Sequence, residues 1–281
     1  MSLAGLGLLL GDARAGRYAV VAFNVILLEY AEAIVGAAEQ AGSPVILQLS
    51  ENVVRYHGDD LEPLGLACLD LARRAAVPVA VHLDHATTLA LCERAAGIGF
   101  GSVMFDGSAL PDDENVARTT EVARWGHSLE IAVEAEIGVI GGKDGSHAVG
   151  APTTPSAAAA FAERTGVDAL AVQVGSSHAM VTQAAHLDLD LIERLRAAVS
   201  IPLVLHGSSG VPDEQLIAAS RAGIAKINVG TRLNVAFTSA LRSSLAADAS
   251  VVDPRRYLKI GRAAVEQAAQ TLITAVGPTR S

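Results

Sequence analysis

Three histidines in this sequence stand where they could bind one metal ion: His85 in His82-Leu83-Asp84-His85, His178 in Gly175-Ser176-Ser177-His178, and His206 in His206-Gly207-Ser208-Ser209-Gly210. Each follows or ends a short apolar run and lies beside an acid or a Gly/Ser turn. Three imidazoles suit one Zn2+ with a coordination position left for substrate, the arrangement of a catalytic zinc. A single such histidine more often caps a strand or bonds a carbonyl; three in this setting argue for metal. His82 is a separate case, because side chains alternate along a strand and it need not point where His85 points. It reads as structural. Asp84, next to a proposed ligand, fits two roles, a carboxylate that orients the ligand or a proton-transfer group above the metal-held substrate.

The acids and the turns add to this. Glu134 and Glu136 alternate onto one side of their run and are followed by Gly138 and Gly141-Gly142-Lys143-Asp144. Carboxylates there serve as satisfied structural acids, transient metal ligands or a mobile base on a glycine-hinged loop. Glu134 reads as structural support and Asp144 as chemistry, with Asp106 and Glu136 as candidates for transient metal ligation. Gly207-Ser208-Ser209-Gly210 precedes Pro212, which opens a helix, and Asn228-Val229-Gly230-Thr231 joins the eighth strand to a helix. Backbone amides at such turns and helix starts bind phosphate. Asn24, Ser50 and Ala179 complete the set of substrate-contact candidates.

These residues need a frame that brings distant segments together. Short apolar runs recur at Tyr18 to Asn24, Pro44 to Leu49, Val79 to Leu83, Ser102 to Phe105, Leu129 to Ala135, Ala169 to Val174, Leu203 to His206 and Ala225 to Val229. Helical periodicity lies between them, at Glu29 to Ala41, Leu61 to Ala75, Glu114 to His127 and Leu191 to Val199. Strands buried on both faces and alternating with helices predict a parallel sheet, and eight repeats close it into a (β/α)8 TIM barrel. In that fold the strands' C-terminal ends and the loops after them share one face, where all the motifs above fall. The chain predicts a single domain over residues 1–281, with a short N-terminal helix and a C-terminal helical extension.

Composition narrows the partners. With 51% apolar and 18% charged residues in 281, the chain can bury a large core. Its 21 Lys and Arg against 30 Asp and Glu give a net charge of −9, which argues against nucleic acid. Met1 to Leu10 lacks a basic start and a cleavage site, so it reads as a short amphipathic helix and not a leader. No apolar run approaches the roughly 20 residues that span a bilayer, so no membrane is expected and the cytoplasm is the expected location. Cys68 and Cys92 lack metal or redox spacing and read as packing residues.

Ala22-Phe23-Asn24, His82 to His85, Val103-Met104-Phe105-Asp106-Gly107-Ser108, Val133 to Gly138, Leu205 to Gly210 and Lys226-Ile227-Asn228-Val229 together resemble the class II fructose- and tagatose-bisphosphate aldolases and the related deoxyketogluconate-phosphate aldolases. The resemblance covers nearly the whole chain and reaches Asp253-Pro254-Arg255. It implies that His85, His178 and His206 hold one Zn2+, that Asp84 exchanges a proton with the hydroxyl beside the cleaved bond, and that Gly207 to Ser209 and Asn228 to Thr231 cradle a dihydroxyacetone phosphate. A small phosphorylated sugar is then the substrate, with a monovalent cation admitted near the phosphate and a homodimer or homotetramer as the assembly. Asp144 falls where the family usually has the mobile loop's glutamate. Ala179 replaces a glycine, Ser208-Ser209 a commoner pair, and Arg232 an acid; Arg232 reads as added positive charge or as an exposed arginine at a helix start. The lysines, Lys143 and Lys226 among them, show no shared site with the acids, so no Schiff base is expected. Two rivals remain, a metal-independent phosphosugar isomerase and a non-catalytic binder of a phosphorylated metabolite.

Overall fold

The computed structural model describes residues 2–137, 152–176 and 185–279. Eight parallel strands, β1 (Val20–Asn24), β2 (Val45–Ser50), β3 (Val79–Ala86), β4 (Ser102–Phe105), β5 (Ala132–Glu136), β6 (Ala169–Ala171), β7 (Leu203–Leu205) and β8 (Ile224–Val229), pair in sequence order and close through β1 and β8. This is the expected barrel, with some boundaries moved. The fifth strand begins at Ala132 because Glu130 takes a left-handed turn at φ +59°. The third runs on to Ala86, with a consequence for the site described below.

Each strand presents alternate residues to the two sides. Outward, Val21, Phe23, Leu47, Val81, Leu83, Val133 and Ile227 belong to the large core beneath the helices. Inward, the polarity changes along the barrel axis. At the N-terminal mouth Val20, Ala22, Ile46, Ala80, Ala171 and Val204 pack on Leu6, Leu9, Leu10 and Ala13 of α1 (Leu6–Gly16), which closes that end. Two residues further along stand Asn24, Gln48, His82 and His206, joined by Glu134 of β5 and Lys226 of β8, all buried or nearly so. A period of two in sequence therefore becomes a floor of hydrocarbon beneath a roof of polar groups.

The helices that cover the barrel are tied at their starts by short polar side chains, a capping interaction worth about 1 kcal/mol each. Ser50 accepts from Val53 N at the start of α3 (Glu51–Tyr56), Thr88 caps α5 (Leu89–Ile98), Thr154 caps α7 (Pro155–Thr165) and Asp188 caps α8 (Leu189–Ala198). The remaining helices are α2 (Leu28–Ala41), α4 (Glu62–Arg74), α6 (Asp112–Ser128), α9 (Asp213–Ala222), α10 (Thr231–Ala247) and α11 (Pro254–Val276). The expected C-terminal extension is α11, opened by the Asp253 cap and held to α2 by an Arg262–Glu32 ion pair at 2.6 Å. Cys68 and Cys92 are buried, and burial pushes both thiols up to about 12, in keeping with packing roles. No helix among the described residues is long and apolar enough to cross a membrane.

Candidate active site at the C-terminal mouth

In a regular strand Asp84 and His85 would face opposite sides of the sheet. They do not, because the pairing of β3 with β4 shifts register between Leu83 and Ala86 and His85 adopts φ +53°. Such a bulge re-aims a side chain, and a non-glycine residue held there costs on the order of 1–3 kcal/mol. The result is that His85 Nε2 lies 4.0 Å from Asp84 Oδ1 and its ring meets that of His206 edge to face, centroids 4.9 Å apart.

Two ligand sets form around this pair. Asp84, His85 and His206 offer donor atoms all within 4.8 Å of one another, as do His85, Asp106 and Glu136. Each histidine is held from behind by a carboxylate. His85 Nδ1 lies 2.7 Å from Asp106 Oδ2, and Asp106 Oδ1 accepts from Ser108 N and Oγ at 3.1 and 2.6 Å. His206 Nε2 lies 3.1 Å from Glu134 Oε1, while its Nδ1 lies 3.2 Å from Glu136 Oε2. Burial is the largest single influence on His206 and pushes it down; hydrogen bonds and charge attraction from Glu134 and Glu136 outweigh it and raise its pKa to about 9.

Asp84 is gripped by side-chain amides. Asn24 Nδ2 and Gln48 Nε2 donate to Oδ2 at 3.2 and 3.4 Å, and Asn228 Nδ2 donates to Oδ1 at 3.2 Å. Burial alone would raise this carboxyl, but charge attraction, from His85 first and then from Lys226 and His206, holds it below the usual range, so it is ionised at neutral pH. Gln48, which also donates to Asn24 Oδ1 at 3.1 Å, went unnoticed in the sequence. Its position two residues before Ser50, inward by alternation, is the signal that would have found it.

Beneath this layer the structure overturns one expectation. Lys226 does share a site with the acids: its Nζ lies 2.7 Å from Glu134 Oε2, both side chains fully buried. His82 completes the cluster, its Nδ1 2.9 Å from Ser102 Oγ and its Nε2 3.8 Å from Glu134 Oε2. Burial first and Lys226 second push His82 down to about 3, so it is neutral.

The loops after β7 and β8, where the sequence places the phosphate turns, meet each other. Gly207 takes φ +66° and turns the chain away from His206. Ser208 Oγ donates to the Asn228 carbonyl, and Ser209 Oγ accepts from Arg232 N at 3.2 Å, so both hydroxyls brace the two loops. A Cβ on Gly230 would come within 3.0 Å of Asn24 Oδ1, which explains a glycine there. Thr231 opens α10, and the Val229 side chain is buried in the outer core. Arg232 is neither free charge nor exposed: its guanidinium forks onto Asp213, with Nη2 3.0 Å from Oδ2. Ser50 serves as the α3 cap. After β6, Ser176 Oγ donates to the His206 carbonyl at 2.6 Å. His178 and Ala179, which follow it in sequence, and Asp144 lie outside the described residues.

Comparison with known proteins agrees with this geometry. The family described as fructose-bisphosphate aldolase class-II matches residues 6–280. A fructose-bisphosphate aldolase of Geobacillus stearothermophilus is 40% identical over 270 residues, covering 95% of this chain and 94% of that protein. A 6-phospho-5-dehydro-2-deoxy-D-gluconate aldolase of Shouchella clausii (strain KSM-K16) is 37% identical over 271 residues, covering 96% and 92%. Among solved structures, the YdjI aldolase of Escherichia coli K12 superposes with a TM-score of 0.85 at 35% identity, covering 98% of each chain.

Proposed function

This chain belongs to the class II fructose-bisphosphate aldolase family, a family of metal-dependent carbon–carbon lyases, and we propose that it uses one zinc ion to cleave a phosphorylated ketose of the fructose- or tagatose-1,6-bisphosphate type to dihydroxyacetone phosphate and an aldehyde. The observation that carries this reading is the convergence of Asp84, His85 and His206, from the ends of β3 and β7, on one small volume. Imidazole donors with an open side suit a catalytic zinc, and Asp84 stands beside them as a base and not as a ligand. From the sequence we assign His178 as the third imidazole.

A divalent metal held there supplies Lewis-acid polarisation of the substrate's ketone oxygen. Asp84, kept ionised by its cationic neighbours and oriented by Asn24, Gln48 and Asn228, takes the proton of the hydroxyl beside the scissile bond. That oxygen becomes the aldehyde carbonyl as the C–C bond breaks, and the bond's electron pair stays with the ketone fragment as an enediolate. Asp144, assigned from the resemblance, delivers a proton to the enediolate carbon. The amides of the loops after His206 and Asn228, with the start of α10, receive the phosphate. The Shouchella relative's name supports a second substrate type, a deoxyketogluconate phosphate that shares the dihydroxyacetone phosphate half.

Retro-aldol cleavage of a panel containing both bisphosphates and the deoxyketogluconate phosphate, before and after chelation, tests the proposal. Cleavage of one of them that stops on chelation and returns with Zn2+ is expected. Cleavage indifferent to chelators, or none across the panel with metal restored, overturns it.

A further inference from the structure

Lys226 is a charged side chain in the middle of the barrel, fully buried. Removing an ammonium from water is costly unless the group is paired and hydrogen-bonded, and an apolar side chain of similar length could fill the same space. What it touches suggests a task. Lys226 Nζ binds Glu134 Oε2 at 2.7 Å, and the other oxygen of that carboxylate meets His206 Nε2 at 3.1 Å. A carboxylate anchored at one oxygen has the direction of its second oxygen fixed. The cluster contains a third contact, His82 Nε2 at 3.8 Å from the anchored oxygen, and that histidine is itself bonded to Ser102. The anchored oxygen thus faces two basic side chains, and the other is left to His206.

The direction matters because an imidazole has two nitrogens and a metal takes one. The partner of the second nitrogen selects the tautomer and the ring orientation. With Nε2 on Glu134, the Nδ1 edge of His206 is the one turned toward Glu136, itself part of the second ligand set with His85 and Asp106. We propose that Lys226 is a positioning residue for the metal centre: it clamps Glu134 so that His206 keeps its proton on Nε2 and offers Nδ1 to the metal. The inference rests on the metal-aldolase reading of the site and adds to it a residue that touches neither metal nor substrate.

Two alternatives make opposite predictions. A mere counter-charge would weaken binding of a dication, so its removal would tighten Zn2+. A purely structural ion pair would change stability and leave the metal's surroundings alone. The experiment compares wild type, Lys226→Met and the charge-balanced double variant Lys226→Met/Glu134→Gln. The readouts are Zn2+ affinity by competition with a chromophoric chelator and the visible spectrum of the Co2+-substituted protein. The proposal expects Zn2+ affinity to fall roughly 10- to 100-fold, the scale for losing a partner behind a ligand, with an altered Co2+ spectrum. If Lys226→Met does not fold, Lys226→Arg, which keeps the charge but moves the donor, carries the test with the same expected direction; the double variant, which also changes the Glu134 carboxylate, measures only what that carboxylate is worth to His206. Zn2+ affinity at or above the wild-type value with an unchanged spectrum overturns the inference. Failure of the wild type to bind Zn2+ would instead overturn the metal reading beneath it.

Discussion

His85 and His206 face each other across one mouth, yet they are supported in different ways. The His85 limb is local and near solvent: the side chain is 20% exposed, its carboxylate is Asp106, and Asp106 is held by Ser108 two residues on. The His206 limb is fully buried and assembled at long range, from Glu134 on β5 and Lys226 on β8, with His82 and Ser102 behind them. A local support can be altered with little effect beyond the ligand it holds. A buried charge network cannot, because every member is the counter-ion or hydrogen-bond partner of another. The two limbs should therefore fail differently, one in metal binding and the other in stability as well.

The strongest way to break this comparison is Glu134→Gln. It leaves the Lys226 ammonium buried without its carboxylate, a change that costs about 3–5 kcal/mol, read as a lower midpoint in denaturant unfolding of the metal-free protein. A loss below about 1 kcal/mol, the usual effect of a point change, would mean that the two limbs are supported alike. Asp84 stands between the limbs and should separate chemistry from support. Asp84→Asn is expected to retain fold and Zn2+ but lose about 10²-fold or more in cleavage, the scale for removing a proton-transfer group. Near wild-type turnover would reduce Asp84 to an orienting role.

The buried limb also carries a pH signature. The pKa of His206 is raised in the folded metal-free protein to about 9, above the usual value of about 6.5. The stabilisation from its proton is complete below about pH 6.5 and is lost as pH rises through about 9. Unfolding free energy of the metal-free protein should decline across that window. The Zn2+-loaded protein should decline less, since metal binding takes the deprotonated imidazole. Equal slopes with and without metal would remove His206 from the ligand set. On the outer limb, Asp106→Asn should weaken Zn2+ binding roughly 10- to 100-fold while the unfolding midpoint of the metal-free protein changes less than in Glu134→Gln.

How far each limb was legible in the sequence follows from the same contrast. The outer limb lies in motifs a few residues long, and Asp84, His85 and Asp106 could be singled out from type and position. The short apolar runs that become the eight strands were equally readable. Two things were not. The bulge that turns His85 inward is a register shift against a neighbouring strand, and no local residue announces it. The Glu134–Lys226 contact joins residues 92 apart, and a lone lysine on an apolar strand gives no sign of which acid it meets until the barrel closes. Arg232 shows the same limit: its partner Asp213 starts the preceding helix, so it is neither the added phosphate charge nor the exposed arginine that the chain suggested.

The smallest expected effects give the sharpest version of the comparison, because a matched pair of serines supports the two limbs. Ser108 Oγ donates to Asp106 Oδ1 at 2.6 Å, and the same oxygen also accepts from the Ser108 amide. Ser108→Ala leaves the amide in place, so only one partly exposed hydrogen bond is lost. About 0.5–1.5 kcal/mol is the usual net value, which appears as a roughly two- to twelve-fold weaker Zn2+ affinity and almost no change in unfolding. Ser102 Oγ is 2.9 Å from His82 Nδ1, with both residues fully buried. Ser102→Ala strands a ring nitrogen where water does not reach, a desolvation cost of about 1–3 kcal/mol, and it touches neither Glu134 nor His206. It should lower the unfolding midpoint and leave Zn2+ affinity of the folded protein within about two-fold. The division into a local limb and a network limb fails if the serines exchange signatures, with Ser102→Ala read in metal affinity and Ser108→Ala in stability.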